Sequence, residues 1–183
     1  GRVHGNAFGG GVGLVSVCDV AIGTQAVLMG LTETRLGLIP ATIGPYVCAR
    51  MGEARARRVF MSGRRFGADE AVGLGLLAKS VASALPDTVA DIASGTGSGT
   101  AAQTRLESAL DLAVEAEIAP YLLCAPAAVA RAKALLRHLG PVIDEATIQH
   151  SIAELSACWA GTEAPEGIAA FFDKREPDWA ALD

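Results

Sequence analysis

An α/β domain running into a wholly helical region is the fold this sequence predicts, and three observations predict it. In residues 1–81, short apolar runs alternate with glycine turns, the pattern of brief buried strands joined by short helices. Beyond residue 107 the apolar residues recur at helical spacing and are punctuated only by Pro126, Gly140-Pro141 and Gly161. Hydrophobic residues are 51% of the chain but aromatics only 5%, so the core must be built from Ala, Leu, Val and Ile, side chains that suit helices layered on strands. The expected division is residues 1–81 for the α/β part, 82–107 for a flexible insertion or linker, and 108–183 for the helical region.

Arg2-Val3-His4 reads as the end of a buried strand entering a glycine loop, which leads us to expect further chain upstream. Gly5-Asn6-Ala7-Phe8 makes a turn, and Gly9-Gly10-Gly11 opens a buried helix over residues 12–18. Asp19-Val20-Ala21-Ile22 and Val27-Leu28-Met29 read as short buried strands, with Gly23-Thr24-Gln25 turning between them. Thr32-Glu33 can cap a helical turn, and Pro45 suits the first position of a helix that Gly52 breaks. The spacing predicts a helix over 53–61 with Arg55, Arg57 and Arg58 on its solvated face. A helix opened by Asp69-Glu70-Ala71 follows, then a closing strand over 76–81. Ser94-Gly95-Thr96-Gly97-Ser98-Gly99-Thr100 is low-complexity and lacks the preceding strand that a phosphate loop needs, so it reads as linker. Helices are expected over 103–121, 126–139, 144–160 and 165–174.

A net charge of -5 offers no basic surface for nucleic acid. Cys18, Cys48, Cys124 and Cys158 form no CxxC pair and sit among apolar neighbours, so they read as reduced thiols packed as small hydrophobes. No apolar run reaches the roughly 18–20 residues of a membrane span and the first residues do not resemble a signal peptide, so the expected location is the cytoplasm, with no membrane partner. His4, His138 and His150 lack nearby carboxylate or cysteine partners, and no metal site is expected.

Three glycines at a helix start let a ligand approach bare amides at the positive end of the helix dipole, which can hold an oxyanion; they equally permit tight helix packing. Glu33 has two readings of its own, a proton carrier or a helix-start acid facing the dipole. The ordered series Ala7-Phe8-Gly9-Gly10-Gly11, Cys18-Asp19, Gly30-Leu31-Thr32-Glu33 and Leu36-Gly37-Leu38-Ile39-Pro40 closely resembles the central signature of the crotonase, or enoyl-CoA hydratase/isomerase, family. Further matches are Ser62-Gly63-Arg64, Ala68-Asp69-Glu70-Ala71, Gly73-Leu74-Gly75-Leu76, the run from Glu166 through Phe171, and Lys174-Arg175, leaving out only about residues 82–107.

The resemblance implies a crotonase-like ββα spiral, here partial, over residues 1–81, followed by a C-terminal helical trimerisation region and assembly as a homotrimer or dimer of trimers. It implies an acyl-CoA thioester substrate with no separate cofactor, coenzyme A being part of the substrate. The Gly10 amide would be one oxyanion donor, its partner donor lying in a family N-terminal third that this sequence lacks. Glu33 would move the proton, and Gly9, Gly11, Gly13, Leu31, Pro40 and Phe171 would border the substrate. Family hydratases use two glutamates, and the positions that match them here are Gly13 and Glu33. Hydration of a 2-enoyl-CoA is the first expectation, isomerisation by the single glutamate the second, and an inactive fragment or paralogue serving assembly or CoA binding the third. Residues 31–41 look most like bacterial members grouped with methylglutaconyl-CoA hydratase, of leucine degradation within the wider chemistry of fatty acid metabolism. Asp19 reads as a structural turn residue. Lys174 matches a family segment that touches CoA, yet a helix that packs Phe171 and exposes Lys174 fits equally.

Overall fold

The computed structural model describes residues 1–82 and 99–180, the side chains of 99–108 excepted. In chain order the first elements are β1 (Arg2–Val3), β2 (Ala7–Phe8), α1 (Gly10–Val17), β3 (Ile22–Thr24) and β4 (Leu28–Gly30). A 3-10 helix (Glu33–Leu36), α2 (Gly44–Met51), α3 (Glu53–Phe60), β5 (Arg65–Gly67), α4 (Ala68–Gly73) and β6 (Lys79–Val81) follow. The helical region comprises α5 (Gly99–Leu122), α6 (Pro126–Leu139), α7 (Glu145–Ala160), α8 (Glu163–Asp173) and a closing 3-10 turn (Asp178–Ala180). The expected insertion at 82–107 falls on residues 83–98, outside this description, and on the first turns of α5. The chain divides into two compact units.

One unit comprises Gly1–Asn6, Cys18–Leu28 and Gly67–Val142. Its sheet runs β1-β3-β6, all parallel, with Arg2 opposite Ile22 and Ile22 opposite Lys79. The central strand β3 is buried at all three residues, as a parallel strand covered on both faces must be. α5 lies against all three strands, with Leu110 fully buried, and α4 backs β6. Lys133 of α6 donates to the Asp19 carboxylate at 2.6 Å, so Asp19 acts as a surface anchor.

The other unit comprises Ala7–Val17, Met29–Phe66 and Ile143–Asp183. Its sheet runs β2-β4-β5, with β2 parallel to β4 and Phe8 opposite Gly30. α1 packs on α2, α2 on α3, and α8 on both α7 and the 3-10 helix. That last contact brings backbone against backbone. Gly37 ends the 3-10 helix at φ 68°, left-handed geometry that suits glycine, and a β-carbon there would lie 2.5 Å from the Glu163 carbonyl oxygen. A β-carbon on Gly167 would lie 2.6 Å from the carbonyl carbon of Leu36. Beyond α8, Arg175 grips Glu166 with two nitrogens at 2.6 and 2.8 Å, which pulls the Glu166 carboxyl down to about 2.

Several expectations are corrected. Arg2 and His4 are exposed and Val3 half-buried, because β1 pairs on one side only. The first helix starts at Gly10 and is not buried all round: Leu14 is 72% exposed and Val17 53%. Two strands lie further along, at Ile22–Thr24 and Leu28–Gly30, so Gly23 and Thr24 are strand and the turn falls at Gln25-Ala26. The closing strand begins only at Lys79, since Leu76 and Leu77 are spent on the core beside α4. Cys48 and Cys124 are exposed rather than packed. Among the described residues no single helix is long and apolar enough to cross a membrane; Ala109–Leu122 and Pro126–Leu139 pass such a test only together, across a 104° bend.

The Gly167 contact sets a stability test. Gly167→Ala forces a methyl against the Leu36 backbone and is expected to cost about 1–3 kcal/mol in urea unfolding. Gly73→Ala, where a β-carbon meets nothing within 4 Å, should be neutral or gain up to about 1 kcal/mol. Equal midpoints for the two variants would show that the α8 contact does not hold the 3-10 helix.

Candidate active site

The turn that begins α1 is made by backbone alone. Gly9 follows β2 at φ 51°, a left-handed conformation that glycine adopts without strain. Its N–H donates to the Gly30 carbonyl of β4 at 3.0 Å, tying the turn to the sheet, and its carbonyl accepts from Val12 at 2.9 Å and Gly13 at 3.2 Å, starting the helix. The amides of Gly10 and Gly11, in the first turn, have no partner among the described residues. Gly10 is exposed, so a donor at the positive end of α1 is open to a ligand.

Glu33 comes to the same place from β4. Leu31 is fully buried and anchors the chain after the strand, and Thr32 precedes the 3-10 helix without making a side-chain cap bond. Glu33 is half-buried, and its Oε1 lies 3.0 Å from where a β-carbon on Gly9 would stand. Its Oε2 is buried without a hydrogen-bond partner. Burial pushes the carboxyl above its ordinary range, and a bond from the residue's own backbone N–H opposes this only in part. The structure thus joins an open amide donor to an under-solvated acid, a pairing suited to holding a developing oxyanion while a proton moves beside it.

Other predicted residues are placed differently. Gly11 lies close to the Ala7 side chain, at 3.3 Å from its own would-be β-carbon, and Pro40 is buried. Gly13 is buried, and a β-carbon there would stand 2.9 Å from Cβ of Ile43 and closer still to its Cγ2. The absent side chain at 13 is therefore compensated by Ile43, a partner that sequence reasoning missed because nothing local links Ile43 to α1. Phe171 is 66% exposed and meets Phe172 edge-on at 5.6 Å on α8. Among the described residues no three His, Cys, Asp or Glu side chains cluster as metal ligands.

Comparisons with known proteins agree with one another. A stretch of 81 residues is 38% identical to human enoyl-CoA hydratase domain-containing protein 2, mitochondrial, and covers 44% of this chain and 28% of that protein. The structure matches an enoyl-CoA hydratase of Mycobacterium smegmatis with a TM-score of 0.59 at 29% identity, covering 98% of this chain and 61% of that one. It matches a carnitinyl-CoA hydratase of Mycobacterium avium with a TM-score of 0.68 at 25% identity, covering 97% and 60%. The chain thus spans about three-fifths of these solved relatives and less of the relative matched by sequence. The fold is the α/β crotonase type with a C-terminal helical region, and since the enoyl-CoA hydratase/isomerase family model matches residues 1–181, the chain belongs to that family.

Proposed function

We propose that this chain carries the enolate-stabilising site of an enzyme acting on acyl-CoA thioesters, most simply one that adds water to a 2-enoyl-CoA. The observation that carries this reading is the half-buried Glu33 carboxylate against the Gly9 turn, one oxygen unpartnered, beside the open Gly10 amide. The thioester oxygen accepts from Gly10, Glu33 takes a proton from water as its oxygen bonds to C3, and the enolate so formed recovers the proton at C2. Coenzyme A enters as part of the substrate and no cofactor is required. A second reading, isomerisation in which Glu33 removes a proton from C2 and returns it at C4, is favoured by the Ile43 packing at Gly13, which leaves no place for a second acid. A cytoplasmic location completes the proposal. A homotrimer or dimer of trimers is supported by the exposed Leu122, Leu123, Leu136 and Leu139 of the helical region, each 71% exposed or more.

Supplying the purified protein with a 2-enoyl-CoA and a 3-enoyl-CoA in separate assays tests the reaction. Loss of the conjugated thioester absorbance is expected in the first. Its appearance in the second without loss in the first would replace hydration with isomerisation. Gly13→Glu is expected to yield unstable protein rather than a second proton carrier, because β-branched Ile43 cannot swing away cheaply.

Glu33→Gln should lower kcat by about 10²–10⁴-fold. It should also change stability with a defined sign. A carboxyl whose pKa is raised by folding costs nothing while protonated in both states, and destabilises the fold increasingly as pH rises through the raised pKa. The unfolding midpoint of Glu33→Gln relative to wild type should therefore shift in the variant's favour as pH is raised from below the ordinary carboxyl range to above it. A difference that did not change with pH would contradict the burial of this carboxylate.

Light scattering should give three or six times the protomer mass; a stable monomer at micromolar concentration would remove the assembly proposal.

A further inference from the structure

In α1 the position one turn beyond the Gly10 amide is Gly13, about 4.5 Å along the helix axis. Side chains of a helix lean towards its N-terminus, so whatever fills the place of a side chain at 13 lies over the first turn of α1. Ile43 fills it, with its Cβ 2.9 Å from the β-carbon that Gly13 lacks and its Cγ2 nearer still. The side chain is β-branched and stiff, and its backbone is fixed as well. Ile43 occupies the N-cap position of α2, its carbonyl accepts from Val47 at 2.9 Å, and the neighbouring Gly44 is backed by the Phe60 ring, 3.1 Å from a β-carbon placed there. Ile43 is half-buried, so part of it remains available to a ligand.

We propose that Ile43 is a specificity-determining residue, the apolar wall against which the acyl group of the thioester is sorted by shape. The inference rests on the reading of Gly10 and Glu33 given above. With the thioester oxygen at the Gly10 amide, the carbons adjoining the carbonyl lie within a helical turn of that amide, where the Ile43 methyl stands. A substituent on C3 must fit beside that methyl, while an unbranched chain can pass it.

The test compares kcat/KM for linear 2-butenoyl-CoA and for 3-methyl-2-butenoyl-CoA in wild type, Ile43→Val and Ile43→Ala. A methylene-sized change in an apolar pocket discriminates by about 10–200-fold, so Ile43→Ala should raise the branched-to-linear ratio by about 10-fold or more and Ile43→Val by less. The change should appear mainly in KM, and the pH profile set by Glu33 should stay where it is. Should Ile43→Ala fail to fold, Ile43→Val still carries the measurement. An unchanged ratio in a folded, active variant, or an equal loss on both substrates, would overturn the role of Ile43 and leave the catalytic reading standing. A wild-type protein that turned over neither 2-enoyl-CoA nor 3-enoyl-CoA would overturn both.

Discussion

The Glu33 carboxylate lies so close to the Gly9 backbone that a β-carbon there would stand 3.0 Å from its oxygen, and the rest of the site is arranged around that contact. Position 9 meets two requirements at once, a φ of 51° and the absence of a side chain, and only glycine meets both without strain. Because the turn is tight, the Gly9 N–H reaches the Gly30 carbonyl, and β4 then delivers Leu31 and Glu33 at a fixed distance from α1. Any larger residue at 9 would push the acid away from the amide it accompanies. The strand pairing, the helix start and the acid are therefore one mechanical unit, though it is built from elements of only two, eight and three residues.

Electrostatically the same contact works against stability. An ionised carboxylate with one oxygen buried and unpartnered has given up water at that oxygen without gaining a bond there, whereas Glu166, with two Arg175 nitrogens and the Asp178 amide on it, is held far down. The two glutamates belong to one unit and their carboxyls move in opposite directions. Glu166 fastens the chain that follows α8, and Glu33 is left under-solvated where chemistry can use it. A poised acid of this kind is the usual cost of a functional site.

How much of this was legible in the sequence varies with the range of the interaction. Signals that act within one turn were readable: Pro126 at a helix start and the glycine series that opens α1. The ordered motif led to the family and to Glu33 beside Gly10. The strands were displaced because residues such as Leu76 and Leu77 are as apolar as strand residues yet serve the core outside any ladder, so hydropathy alone cannot say where pairing begins. The exposure of Leu14 and Val17 on α1 was invisible for a related reason, since a uniformly apolar helix does not say which face is covered. Least readable were long-range pairings: nothing in residues 9–17 announces Ile43, and nothing near Gly37 announces α8.

That last pairing changes what counts as the site. Helix α8 contributes none of the atoms that would touch a proton or an oxyanion, yet its Gly167 and Glu163 backbones press on Leu36 and Gly37, where the 3-10 helix that begins at Glu33 ends. A 3-10 helix of four residues has poor hydrogen-bond geometry and little stability of its own, so its place must be imposed from outside. Two glycines, one on each partner, let the backbones approach closely enough for that. The acid read from an early motif is thus aimed by a helix from the end of the chain, so closing a long loop is a condition for a formed site. Helix α8 is for this reason part of the candidate site in a mechanical sense.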